Sequence, residues 1–260
     1  MRYVKLKVFG NYKLAPSVFD NLEKKGQLTS DPNEKNKLFD RLKESKSNFH
    51  VALNPDTNDM SYYVTFNFKN RLVSSIFFDP VLMFLNQALI NHENSYRLLS
   101  KSETTGRLGE IEIIDSHNFG TFLQLRFSAI IILHTAFDSF INSIIPEGEI
   151  NFKDTIKNKK EIEDGLQFKE KMRLISDLKE IDFDFKNQAD KIDYDKLIVL
   201  NNARKELVHF KTHKTEKNFE VFIDRLQDIL RIDLDDLLET VIRTMNKIKP
   251  GFVEIKEETE

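Results

Sequence analysis

The chain has no cysteine. Disulfide staples, a thiolate zinc site and a cysteine nucleophile are thereby excluded, so stability must come from packing and a reducing cytoplasm is the expected setting. Glycine and proline are scarce, 8 and 6 among 260 residues, and neither occurs between Gly165 and Pro250. No Gly-rich phosphate loop and no Gly-x-Ser-x-Gly elbow is present, which removes the common nucleotide-hydrolase and serine-hydrolase routes. Net charge is small as well. With 39 basic residues against 42 acidic ones the balance is −3, so any affinity for nucleic acid has to come from a local patch. The opening Met1 to Lys7 alternates charge and bulk and lacks the apolar run of a secretory signal, which predicts a protein that stays where it is made. One window, Phe127 to Ile145, has the length of a membrane span. It carries His134, Asp138 and Asn142 in its middle, each costly in lipid, and reads as a buried helix with no membrane partner.

What is present is a chain 40% hydrophobic and 31% charged, the profile of a folded, mostly helical protein. Its length suits one large core plus an appendage. Residues 2–10 and 61–78 are rich in aromatic and β-branched side chains with partial alternation and predict strands of a small N-terminal sheet. Between them, Pro16 to Pro55 is polar and turn-rich, with a helix expected near Glu34 to Lys46. Asp79-Pro80 followed by Val81, Phe84, Leu85, Ala88 and Leu89 signals a helix to about Leu99. Residues 100–115, with Gly106 and Gly109, suggest a domain boundary, and Ile111 to Ile114 reads as a strand or a loop.

Gly120 and Pro146 bracket a central helix in which Phe122, Leu125, Ala129, Ile132, Ala136, Phe140 and Ile144 recur at helical spacing. Three further patterns follow: Leu166 to Leu178, Asp195 to about His213, and Phe219 to Ile248 with a possible break at Asp233. Together they predict an all-α bundle of four helices over residues 116–249. The acidic end, Glu254 to Glu260, is expected to fray.

Chemistry concentrates in the stretch Asn201-Asn202-Ala203-Arg204-Lys205-Glu206-Leu207-Val208-His209. An Arg followed by His at this spacing late in an apolar helix resembles the signature of the HEPN (higher eukaryotes and prokaryotes nucleotide-binding) family. The likeness extends over about 130 residues. Asp138-Ser139-Phe140-Ile141-Asn142 is similar to that family's Glu/Asp-x-Phe-Ile-Asn stretch, and Phe168-Lys169-Glu170-Lys171-Met172 stands where a Lys-containing helix is usual. The resemblance implies a HEPN-like helical bundle at 116–250; with the strand patterns ahead of it, the expected fold is mostly α, with a small N-terminal α+β region of unknown role at 1–115 and an acidic tail at 251–260. The resemblance also implies a homodimer that cleaves RNA without metal or other cofactor, in the manner of a toxin or an antiphage defence effector. Arg204 would clamp the phosphate and His209 would act as acid and base; Asp138, Asn142, Asn201 and Lys205 would support them.

That division of labour is chemically coherent. An imidazole ordinarily titrates near neutrality and can take the proton of a 2′-hydroxyl or give one to a leaving 5′-oxygen. A guanidinium can grip a phosphate with two parallel hydrogen bonds. Lys205, Lys211 and Lys214 add a local positive excess that RNA phosphates favour, although lysines at a helix end also complement the macrodipole. Geometry sets a condition, because five residues on a regular helix leave Arg204 and His209 about 140° apart. Either the helix ends or bends near Val208, or two copies pair across a dimer axis.

Other readings compete. His134, Asp138 and Asn142 form a polar line at i, i+4, i+8, and Asp138 is the expected partner of Arg204 in an ion pair with no catalytic duty. His134 reads as a satisfied core histidine. His209 and His213 share metal-ligand spacing but lack a third ligand, so no metal is expected. Lys205 departs from the Asn, Asp or His usual after that Arg in members that cut RNA. This favours a module that binds RNA, a nucleotide or a protein without cleaving. A purely structural helical adaptor is the third reading.

Overall fold

A computed structural model describes residues 2–7, 12–13, 49–54, 59–68, 71–76, 78–102, 104–153, 155–178, 180–209 and 216–257. The protein is mostly helical with small sheets. It divides into two compact units, one of Leu6–Pro80 and one of Met1–Lys5 with Val81–Glu260. The division falls near Pro80 and not near residue 115, because Gly106 and Gly109 lie in a hairpin and not in a linker.

In the unit Leu6–Pro80 the ten-residue strand β4 (Asp59–Phe68) is the spine of an antiparallel sheet. β3 (Phe49–Asn54) pairs along its first half and β5 (Arg71–Ile76) along its second, while β2 (Tyr12–Lys13) meets Asp59 and Met60. The aromatic and β-branched run that signals strands therefore does form the sheet. The helix expected near 34–46 lies outside the described residues.

β1 (Arg2–Val4) does not join that sheet. It pairs with β10 (Ile255–Glu257), and Lys5 N–H donates to Glu254 O at 2.9 Å, so residues 255–257 of the acidic end are strand and not frayed. Such pairing across the whole chain leaves no local signal, since each partner is only three residues long.

The other unit begins with α1 (Pro80–Lys101), which buries Leu82, Leu85, Ala88, Leu89 and His92 along one face. The hairpin of β6 (Thr104–Leu108) and β7 (Ile111–Ile114) follows, turning at Gly109 with φ +62, a conformation that suits glycine. α2 (Ser116–Ile144) starts where the Asp115 carboxylate accepts from the His117 and Asn118 N–H groups. Its buried stripe runs Ala129, Ile130, Leu133, Ala136, Phe137, Phe140 and Ile141. By length and composition α2 could cross a membrane; in the structure it packs against helices on several sides.

After α2 come a hairpin, β8 (Glu149–Phe152) with β9 (Thr155–Asn158), and two short helices, α3 (Lys159–Gly165) and α4 (Phe168–Asp177). Capping boxes start both: Asn158 with Glu161, and Gln167 with Glu170. α5 (Gln188–Val208), α6 (Glu216–Arg231) and α7 (Leu234–Ile248) complete the unit. The break expected at Asp233 is present, and Asp233 caps α7 by accepting from Asp236 N–H at 3.0 Å. Six helices thus cover 116–249 among the described residues, two more than the four patterns suggest, because capping side chains start new helices without glycine or proline. α2, α5 and α7 pack on one another around Leu133, Phe137, Leu197, Leu200, Leu237 and Val241, with α4 against α2. Burying each such side chain contributes about 1.5–3 kcal/mol.

Candidate functional site

α5 carries the Arg-to-His stretch and ends within it. Val208 is the last helical residue, and His209 stands at the C-cap with φ −101 and ψ 20, its N–H bonded to Lys205 O at 3.0 Å. Its side chain is exposed, as is that of Lys205. The helix therefore terminates between the two candidate residues, one of the two arrangements that would let an imidazole leave the helical face sequence.

Arg204 sits half-buried one turn earlier, on the side of the buried residues Leu197, Leu200 and Asn201. Among the described residues its guanidinium has no ion-pair partner. The expected pair with Asp138 is not formed. Asp138 instead accepts from Lys171 Nζ of α4 at 3.3 Å, and the same ammonium donates to Asn142 Oδ1 at 2.9 Å. Asn142 in turn donates to the other carboxylate oxygen at 3.4 Å. The reason is placement: α4 lays Lys171, only 5% exposed, directly over the i, i+4 pair on α2, and a cation so deeply buried needs those acceptors.

His134, one turn before Asp138, faces α5. Its Nε2 lies 3.2 Å from Asn201 Oδ1, which makes Nε2 the donor and leaves Nδ1 unprotonated. The ring also packs at 5.5 Å from Phe168. Burial pushes the imidazole below its ordinary pKa, and the Arg204 and Lys171 cations push the same way against Asp138 and the Asn201 bond. His134 is thus a satisfied, half-buried histidine whose electrostatics register the nearby guanidinium.

The sequence-predicted residues fall into four groups. His134 and Asn201 meet; Asp138 and Asn142 meet, through Lys171; Arg204 stands beside the first pair without a carboxylate; and His209 and Lys205 are exposed at the helix end. Lys211, Lys214 and His213 lie outside the described residues. Lys171 was missed as a participant. The polar line on α2 signals that a cation is needed there, but nothing local says which one. On the far side of α5 a shallow groove of about 360 Å³ lies against α6, and at its edge Arg225 pairs with Glu206 at 3.2 Å.

No protein-family model, curated protein or solved structure matches the chain.

Proposed function

We propose that the chain is a metal-independent endoribonuclease of HEPN type. On this reading the helices from residue 116 onward are a HEPN-like bundle behind a small N-terminal module, working as a homodimer in the cytoplasm, in the manner of a toxin or antiphage effector. The observation that carries the reading is the end of α5: a half-buried guanidinium with no ion-pair partner among the described residues, then helix termination, then an exposed imidazole. An unpartnered cation near the surface is suited to an anionic ligand, and a guanidinium suits phosphate best.

The chemistry is in-line attack by a 2′-hydroxyl on the adjacent phosphorus. A bond forms from O2′ to phosphorus, the bond to the 5′-oxygen breaks, and the products are a 2′,3′-cyclic phosphate and a 5′-hydroxyl. One imidazole takes the 2′ proton and another protonates the leaving oxygen, which is why two copies of His209 across a dimer are required. Arg204 holds the non-bridging oxygens as charge grows on them. Lys205, Lys211 and Lys214 hold the flanking phosphates.

The test is incubation of the protein with structured and unstructured RNA in excess EDTA. His209→Ala and Arg204→Ala should each lower cleavage by about 10²- to 10⁴-fold with an unchanged circular dichroism spectrum. Cleavage that survives either substitution rejects the mechanism. A second reading, a module that binds RNA without cutting it, is favoured by one observation. The interior polar groups are satisfied within the unit, Asp138 and Asn142 by Lys171 and His134 by Asn201, so none of them reaches outward to assist His209. RNA binding without product would establish it.

A further inference from the structure

A second cavity, away from the end of α5, lies where α1 and α2 meet the junction of α6 and α7. Its volume is about 600 Å³, and its walls include Tyr96, Leu99, Phe122, Arg126, Leu230 and Asp235. His92 lines it too. Among the described residues three buried side-chain polar atoms lack a hydrogen-bond partner, and two of them, His92 Nδ1 and Arg126 Nε, belong to this lining. His92 is 2% exposed and Arg126 8%. Leaving such atoms unmet costs about 1–3 kcal/mol each, so their coincidence at one cavity calls for a ligand.

The charges around the cavity say what that ligand is not. Arg126 gives its Nη2 to the carbonyls of Leu230 and Ile232, capping the end of α6. Arg231 lies 3.7 Å from Asp228. Asp235 is held by Arg2 at 2.9 Å and by His92 Nε2 at 3.1 Å, and Asp233 accepts from Asp236 N–H. The two arginines of the lining, Arg126 and Arg231, balance its two carboxylates, Asp233 and Asp235, so an ion of either sign gains little there. What remains unmet is neutral in character. In the tautomer whose Nε2–H is given to Asp235, Nδ1 is a bare acceptor, while Arg126 Nε–H is a free donor. The rest of the wall is aromatic and aliphatic.

We propose that this cavity binds an uncharged aromatic small molecule bearing both a hydrogen-bond donor and an acceptor, the donor for His92 Nδ1 and the acceptor for Arg126 Nε–H. Neighbours shield both atoms from water. Tyr96 is one of them: its ring stands edge-on to His92 at 5.4 Å and is 61% exposed, so it can turn outward without opening a hole in the core. A planar ligand slides between that ring and the apolar wall.

Benzamide, benzoate and benzamidine separate the possibilities, because they share one ring and differ only in carrying both groups, acceptors alone, or donors alone. They are titrated into the full-length protein while the imidazole nitrogens of His92 are followed by NMR. Benzamide is expected to move the His92 Nδ1 resonance and to bind at least about tenfold more tightly than either ion, a difference of about 1.4 kcal/mol. Leu99→Trp, which fills the cavity from a 43% exposed position, should abolish the response without lowering the melting temperature, and His92→Leu should weaken benzamide binding about tenfold by isothermal titration calorimetry. Nicotinamide and adenosine carry the same pair on an amide and on a base edge, and their relative affinities identify the source. No movement of the resonance with benzamide up to about 10 mM, a range in which a nine-atom fragment with matched groups binds, overturns the proposal. So does equal or tighter binding of benzoate or benzamidine, or a benzamide response unaltered by Leu99→Trp.

Discussion

Along the first turns of α5, Asp190, Asp193 and Lys196 each meet an opposite charge on α7: Lys247, Arg243 and Asp236 respectively. The numbers rise on one helix and fall on the other, which identifies an antiparallel ion-pair ladder. Two turns past Lys196, Arg204 has no ion-pair partner among the described residues, Lys205 is exposed, and the helix stops at Val208. Matched charges fix the start of α5 against its neighbour. At its end Glu206 pairs with Arg225 of α6 while Arg204 and Lys205 have no such partner among the described residues, and the contrast within a single helix separates residues that hold the fold from residues that could act on something else.

The contrast is tested first where the largest effect is expected. Asp190 is 2% exposed, and besides Lys247 its carboxylate accepts from Asp184 N–H at 2.9 Å and Asn187 Nδ2 at 2.7 Å. Asp190→Ala strands those donors and should lower the unfolding free energy by about 2–4 kcal/mol, read as a lower urea midpoint with an unchanged slope. A loss under about 1 kcal/mol would mean the ladder holds nothing. Asp193 accepts from Arg243 Nε at 3.0 Å and from Nη2 at 2.6 Å. A double-mutant cycle on that pair should give a coupling of about 1 kcal/mol, less than for a buried pair because Arg243 is half exposed.

Parts of this arrangement are legible in the residues themselves. Asp79-Pro80, the apolar stripe of α2 and the break at Asp233 announce helices, because capping and periodicity are local properties. Asn187 three residues before Asp190 is also a start signal, yet the reading of α5 begins at Asp195, where the apolar residues begin. Other features depend on the tertiary structure. Strand β10 needs β1, which lies about the whole chain away. Asp138 takes Lys171 and not Arg204 because of how α4 crosses α2, and sequence spacing carries no trace of that crossing. At the candidate site Arg204 and His209 can be named from the sequence, but that Arg204 has no ion-pair partner among the described residues cannot.

Acid should act on both ends of the comparison, at different pH. Burial pushes the Asp190 carboxyl up, but hydrogen bonds from Lys247, the Asp184 N–H and Asn187 outweigh it and leave the pKa lowered. Its stabilisation is complete above the unfolded value of about 3.9 and is lost as pH falls through the lower folded one. His134, also lowered, faces Asp138 on its own helix, Lys171 on α4, and Asn201 and Arg204 on α5. The unfolded imidazole takes a proton first, at about pH 6.5, so this contribution is full above that value and declines as pH falls below it, until the folded imidazole also protonates. His134→Gln should remove the decline that begins below about pH 6.5 while leaving the loss that sets in below about pH 3.9. A profile with the same slope in both proteins would show that the imidazole titrates alike folded and unfolded.

The smallest expected effect on stability is the most informative. Arg204→Leu keeps an aliphatic side chain at this half-buried position and removes a charge with no ion-pair partner among the described residues. Stability should therefore change by no more than about 0.5 kcal/mol. Because Arg204 lowers the His134 pKa, its removal should raise that pKa, visible by NMR titration of the imidazole. A neutral stability change with an upward His134 shift means the guanidinium sits where the structure places it and holds nothing there. Destabilisation by more than about 2 kcal/mol would instead make Arg204 a structural residue like those of the ladder. The two ends of α5 would then not differ in kind, and the proposed phosphate clamp would lose its basis.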